Sequence, residues 1–89
     1  MFRIRESDQD HKAITIWVDG RLKDQDLEAF RQTLEKYLKG NLKVTINLTY
    51  LTQAGWEIKR YLHQIQTLVE LADLPEYLKN EILHGMVNF

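Results

Sequence analysis

Apolar positions recur along this chain at two spacings, every second residue and every third or fourth, and the two spacings alternate. Phe2 and Ile4 alternate with Arg3 and Arg5, which predicts a half-buried strand. Glu6 to Lys12 is charged and aperiodic and is expected to be a hairpin loop. Ala13 to Val18 predicts a second strand, with Ile14, Ile16 and Val18 on one face and Ala13, Thr15 and Trp17 on the other. Asp19-Gly20 is a turn dipeptide expected to end it. Leu27, Phe30, Leu34 and Leu38 then form one helical stripe. Asp24 is the expected N-cap, Asp26 and Glu28 supply the negative charge that a helix start favours, and Gly40 is the expected stop.

Lys43 to Leu48 returns to the two-residue period, with Val44, Ile46 and Leu48 facing one way. A short polar turn follows. Ile58, Leu62 and Ile65 then mark a second helix over about Ala54 to Gln64, entered at Gly55, with Glu57, Lys59, Arg60, His63 and Gln64 outward. Thr67, Val69 and Leu71 fit either a fourth strand or a continued helix. The strand is preferred, because a right-handed βαβ repeat needs a returning strand. Pro75 suits the first turn of a last helix, capped by Asp73 or Leu74. Tyr77, Leu78, Ile82 and Leu83 are its expected buried side, Gly85 its end, and Met86 to Phe89 a short tail. The resulting architecture is a two-layer α/β domain. Its four-stranded mixed sheet has the order β-β-α-β-α-β-α, with helices chiefly on one face and the first two strands antiparallel.

Composition narrows what such a domain can do. At 89 residues the chain supports one domain and one core. A net charge of −1 supplies no basic footprint for nucleic acid and no polybasic membrane anchor. There is no cysteine, hence no disulfide and no thiol nucleophile. No apolar run is long enough to span a bilayer, and the first residues lack the apolar core of a signal peptide, so a cytoplasmic setting is expected.

Chemistry-bearing residues are sparse. His11, His63 and His84 stand in no metal-ligand spacing, so neither a metal nor a cofactor is expected. Ser7 lies in an acidic stretch with no glycine elbow, which excludes a serine hydrolase. The acid pair Asp24 and Asp26 reads as capping charge, and the isolated glycines as punctuation. An enzyme is the least expected class. Trp17, on the polar sheet face, and Trp56, at the helix entrance, have the character of contact anchors, with covering the core edge as the plainer role. Thr52 reads first as a helix cap and second as a hydroxyl open to phosphorylation.

Several segments resemble the STAS domain, the sulfate-transporter and anti-sigma-factor-antagonist family. Ile16-Trp17-Val18-Asp19-Gly20-Arg21-Leu22 is similar to the family's strand leading into Gly-Arg-Leu. Val44-Thr45-Ile46-Asn47-Leu48-Thr49 is similar to its Val-Val-Val-Asp-Leu-Ser strand, with Asn47 at the usual aspartate. Ala54-Gly55 resembles the small-residue entrance to its regulatory helix, Leu68 to Leu71 its last strand and Glu81-Ile82 its final helix. The resemblance implies a non-enzymatic module that binds a protein partner, an anti-sigma-type kinase or a regulatory complex. The implied surface is Thr49, Thr52, Gln53, Ala54, Gly55, Trp56, Arg60 and His63. Regulatory members carry a phosphoacceptor serine immediately before the glycine, and here that residue is Ala54. Two other roles stand beside this one: a homo-oligomeric scaffold using Trp17, and an accessory small-ligand or transport-associated subunit.

Overall fold

The expected βαβ unit is present, set in a five-stranded mixed sheet with three helices. A computed structural model describes residues 2–10, 12–40 and 42–83, with the side chains of residues 8–10 and 83 outside that description. His11, His84, Gly85 and the tail from Met86 to Phe89 therefore lie outside the described residues. β1 (Phe2–Asp10) runs antiparallel to β2 (Ala13–Leu22), from Phe2 opposite Gly20 to Asp10 opposite Ala13. β3 (Lys43–Asn47) lies parallel to β2, with Ile14 opposite Val44 and Ile16 opposite Ile46. β5 (Glu70–Ala72) adds on parallel to β3, with Leu71 opposite Ile46.

This register sends Ile14, Ile16, Val18, Val44, Ile46 and Leu48 into one buried core. Helices α1 (Leu27–Leu38), α2 (Trp56–Ile65) and α3 (Glu76–Leu83) complete it. They contribute Phe30 and Leu34, then Ile58, Leu62 and Ile65, then Leu78 and Ile82. Each such side chain stabilises the fold by about 1.5–3 kcal/mol relative to exposure. The apolar stripes of all three helices meet the same sheet face, as the periodicity requires.

The sheet has one strand more than the pattern predicts. β4 (Leu51–Ala54) occupies the stretch expected to be a polar turn. It pairs parallel with β2 through Gly20, Arg21 and Leu22. Gly20 also opposes Phe2 of β1, so β4 must lie on the other edge of β2, the edge that β3 occupies further down. β3 and β4 are thus one strand line, broken at Leu48–Tyr50, where the Leu51 N–H turns back to the Leu48 carbonyl. No alternation announces β4, because Thr52 and Gln53 both remain exposed.

Both ends of the first hairpin also run longer than expected. β1 continues to Asp10 through the charged stretch read as a loop. β2 passes through Asp19-Gly20 and ends only at Leu22, because Gly20, at φ 97°, absorbs a register shift instead of turning the chain. Between α2 and β5, the helix stops at Ile65, and the returning strand forms at Glu70–Ala72, shifted toward the C-terminal end of the Thr67–Leu71 window.

The capping assignments change partners. A 3-10 turn over Asp24–Asp26 precedes α1. Asp26 accepts the Lys23 N–H at 2.9 Å, while Asp24 caps a different helix, described below. Asp73 does not cap α3: it sits at φ 51° with its carboxylate on the Asn47 amide. Tyr77 is exposed instead of buried, leaving Leu78 and Ile82 as the packed face of α3.

Candidate functional site

The residues singled out around Gly55 fall on three consecutive pieces: the Leu48–Tyr50 break, β4, and the first two turns of α2. The break is built by Asn47, which is almost fully buried. Its Oδ1 accepts both the Thr49 N–H at 3.0 Å and the Thr49 hydroxyl at 2.7 Å. Its amide donates to Asp73 at 2.9 Å, tying the ends of β3 and β5 together. Asn47 has an amide where the STAS pattern has a carboxylate, and the donor is needed because an acid already faces it. Tyr50, next along, stands outward over the open side of the sheet.

Thr52 is a strand residue, not a helix cap. Its hydroxyl donates to the Gly20 carbonyl at 3.0 Å, across the β2–β4 pairing. Ala54 is half-buried against the core, and Gly55 donates its N–H to the Leu22 carbonyl at 2.7 Å. The cap of α2 comes from elsewhere in the chain: Asp24 Oδ1 accepts the Glu57 N–H at 2.8 Å. The carboxylate thus meets free backbone donors at the positive end of α2. A Cβ on Gly55 would lie 2.3 Å from that Oδ1 and 2.9 Å from the Asp24 nitrogen. Glycine is therefore required at 55 for close approach, since its backbone (φ −72°, ψ 171°) is open to any residue.

The two flanks of α2 differ. On one, Lys59 pairs with Glu81 at 2.8 Å, and the His63 Nδ1–H donates to the Ile82 carbonyl at 2.8 Å. His63, expected on the outward face, is thus held against α3 and does not join the free surface. On the other flank, Arg60 and Gln64 border a shallow groove shared with Leu27 and Arg31 of α1. Tyr61 closes its floor edge-on to Phe30. Burial, with the nearby Glu35 carboxylate, raises the Tyr61 phenol above its ordinary pKa, while Arg31 opposes the shift.

Among the described residues, three of the four exposed large apolar side chains border β4: Tyr50, Trp56 and Tyr77. Tyr77 reaches from α3 to donate its hydroxyl to the Leu51 carbonyl at 2.7 Å. Burial raises its pKa as well. Trp17 is half-buried on the open sheet face. It stacks on Tyr50 with ring centroids 6.4 Å apart, and the Arg5 guanidinium lies 5.7 Å from its centre. Arg3 and Arg5 share the Asp19 carboxylate at 3.3 and 3.2 Å. Thus Thr49, Thr52, Gln53, Trp56 and Arg60 are brought together as an exposed strip, and Trp17 adjoins it through Tyr50. The pattern did not single out Tyr50, and it assigned Asp24 to the cap of the first helix instead of α2, because both roles depend on residues at least thirty positions away. Among the described residues no cluster of acidic or histidine side chains could hold a metal. No described helix is long and apolar enough to cross a membrane.

No family model matches the chain, and a search of curated proteins returns no match. Among solved structures it is similar to an uncharacterized DUF3478-family protein with a SpoIIAA-like fold from Shewanella loihica PV-4. The TM-score is 0.57 at 18% identity, covering 94% of this chain and 80% of that one. The strand order, the parallel β2–β3–β5 core and the single helical layer agree with that likeness: the chain has a SpoIIAA-like fold, the fold of STAS and anti-sigma-factor-antagonist domains.

Proposed function

We propose that this chain is a non-enzymatic regulatory binding module of STAS type, acting in the cytoplasm. It engages a protein partner, of the anti-sigma-kinase or regulatory-complex class, through the strip from Thr49 to Arg60. The observation that carries this reading is the grouping of Tyr50, Trp56 and Tyr77 around β4. Exposed aromatics gathered at one edge, with an arginine beside them, are the side chains that most often anchor protein interfaces. Ala54 offers no hydroxyl, and it is packed against the core. The module therefore binds without a phosphorylation switch at this position. The open side of Gly55 is filled by Asp24, which favours a protein surface over a small-ligand cavity there.

Affinity capture from native extract tests the proposal. Wild type is compared with a Tyr50→Ala/Trp56→Ala/Arg60→Ala variant whose fold is verified by circular dichroism. Specific partners retained by the wild type should be lost from the variant. An identical set of partners on both would overturn the assignment of this surface.

A further inference from the structure

The three helices pack on one face of the sheet, and no described element lies over the other. Alternation along β2 assigns that open face its residues. Ile16, Val18 and Leu22 point into the core, which leaves Trp17, Asp19 and Arg21 on the open side. The β1 register sets Arg3 beside Asp19 and Arg5 beside Trp17. Tyr50 stacks on Trp17 from the break between β3 and β4.

The chain's net charge of −1 hides how charge is sorted here. Three guanidiniums, of Arg3, Arg5 and Arg21, share this end of the face with one carboxylate, Asp19, among them. Asp19 pairs with Arg3 and Arg5, whereas Arg21 is exposed and has no carboxylate partner among the described residues. The excess positive charge is spread over the four strand steps from Trp17 to Arg21, about 13 Å. Lower on the face, exposed Lys43 and Glu70 offset one another, and Asp73 is held by Asn47 on the far side of Trp17. Asp19 also organises the basic end. It fixes Arg3 and Arg5, with the Arg5 guanidinium 5.7 Å from the Trp17 ring centre and 5.9 Å from that of Tyr50. A guanidinium has five donors, so one shared carboxylate leaves most of them open to a ligand.

We propose that this end of the open sheet face docks an acidic segment of a partner protein. Carboxylates of the segment lie on Arg3 and Arg21, and an apolar side chain beside them lies against Trp17 and Tyr50. Charge complementarity selects the occupant, because a carboxylate matches the guanidinium fork with two parallel hydrogen bonds. A nucleic-acid strand fits less well. Asp19 repels a continuous phosphate backbone, and Arg5 already lies over the two rings on which bases would stack. The site adjoins the strip around β4 through Tyr50 but rests on its own observations.

Fluorescence anisotropy of a dye-labelled peptide of Glu-Glu-Leu repeats tests the proposal, at low and at high salt. A Lys-Lys-Leu peptide and an oligothymidine carrying the same dye are the competing probes. The acidic peptide should bind saturably and more weakly at high salt. Arg3→Glu/Arg21→Glu should lower its affinity at least roughly tenfold. Lys36→Glu/Lys79→Glu reverses as many exposed charges on the helical side and should change it less than about twofold. Arg21→Glu alone breaks no ion pair among the described residues, so it keeps the test valid if the double variant loses its circular dichroism spectrum. It should still weaken binding severalfold. Absence of saturable binding by the acidic peptide overturns the proposal. So do equal losses in the two double variants, or tighter binding of either competing probe. A loss confined to Trp56→Ala/Arg60→Ala also overturns it, by moving the contact to the strip around β4.

Discussion

Gly55→Ala is a conservative substitution at a backbone geometry that alanine adopts freely. By itself the smaller unfolded-state entropy would stabilise the chain by about 0.4–1 kcal/mol. The tertiary contact reverses the sign. The new methyl would meet Asp24 Oδ1 at 2.3 Å, its nitrogen at 2.9 Å and Cγ at 3.0 Å. The carboxylate can rotate away only by releasing the Glu57 N–H, and losing a cap costs roughly 1 kcal/mol. The Asp24 nitrogen is main chain, so it moves only with the 3-10 turn, and overpacking of that kind costs about 1–3 kcal/mol. The net expectation is a loss of about 1–3 kcal/mol, a fall in Tm of roughly 5 to 20 °C for a domain of this size. Urea unfolding followed by far-UV circular dichroism measures it. Asp24→Ala alone should cost about 1 kcal/mol. The double variant should lose less than the sum of the single losses, by more than about 0.5 kcal/mol, because both substitutions act on one contact. A Gly55→Ala protein as stable as the wild type, or additive behaviour in the double variant, would refute the reasoning.

Asn47→Asp should destabilise by on the order of 1–3 kcal/mol at neutral pH, because the new carboxylate faces Asp73 where an amide donated. The loss should shrink on acidification to pH 4 in the same urea assay. Ile46→Ala, at a fully buried position in the central parallel pair, should cost about 2–5 kcal/mol by thermal melting. Lys59→Ala should change stability by less than about 1 kcal/mol, since its pair with Glu81 is partly solvated. Tyr61 and Tyr77 have folded pKa values raised above the unfolded value of about 10. The folded state therefore holds their protons longer than the unfolded chain. Their contribution is complete below pH 10 and declines as pH rises toward the folded pKa values. Tyr61→Phe/Tyr77→Phe should flatten the alkaline fall in urea midpoint between pH 9 and roughly 11.

Much of the architecture was legible along the chain because it depends on periodicity. Ile14-Ile16-Val18 and Val44-Ile46-Leu48 alternate, while Leu27-Phe30-Leu34 and Ile58-Leu62-Ile65 repeat at helical spacing. One buried face satisfies each pattern, so strands, helices, their order and the core follow from local physics. The candidate strip was visible only as a resemblance around Ala54-Gly55. Its exposed members, Thr49, Thr52, Gln53, Trp56 and Arg60, are on the surface as expected. His63 is not, because α3 folds back and offers the Ile82 carbonyl to its ring. Nothing local could announce that contact.

The same distinction separates the remaining features. Sequence alone determines that the chain forms a small α/β layer and that alanine stands immediately before Gly55. Tertiary structure alone decided that Leu51–Ala54 is a strand, since its hydrogen-bond partners are Gly20 to Leu22 and its own side chains do not alternate. It also decided that Asp24, written at the start of one helix, caps another. A capping carboxylate needs only a free N–H within reach, and the fold brings the Glu57 N–H to 2.8 Å. Periodicity reports which face of an element is buried. Which distant element fills the space beside it is set by packing.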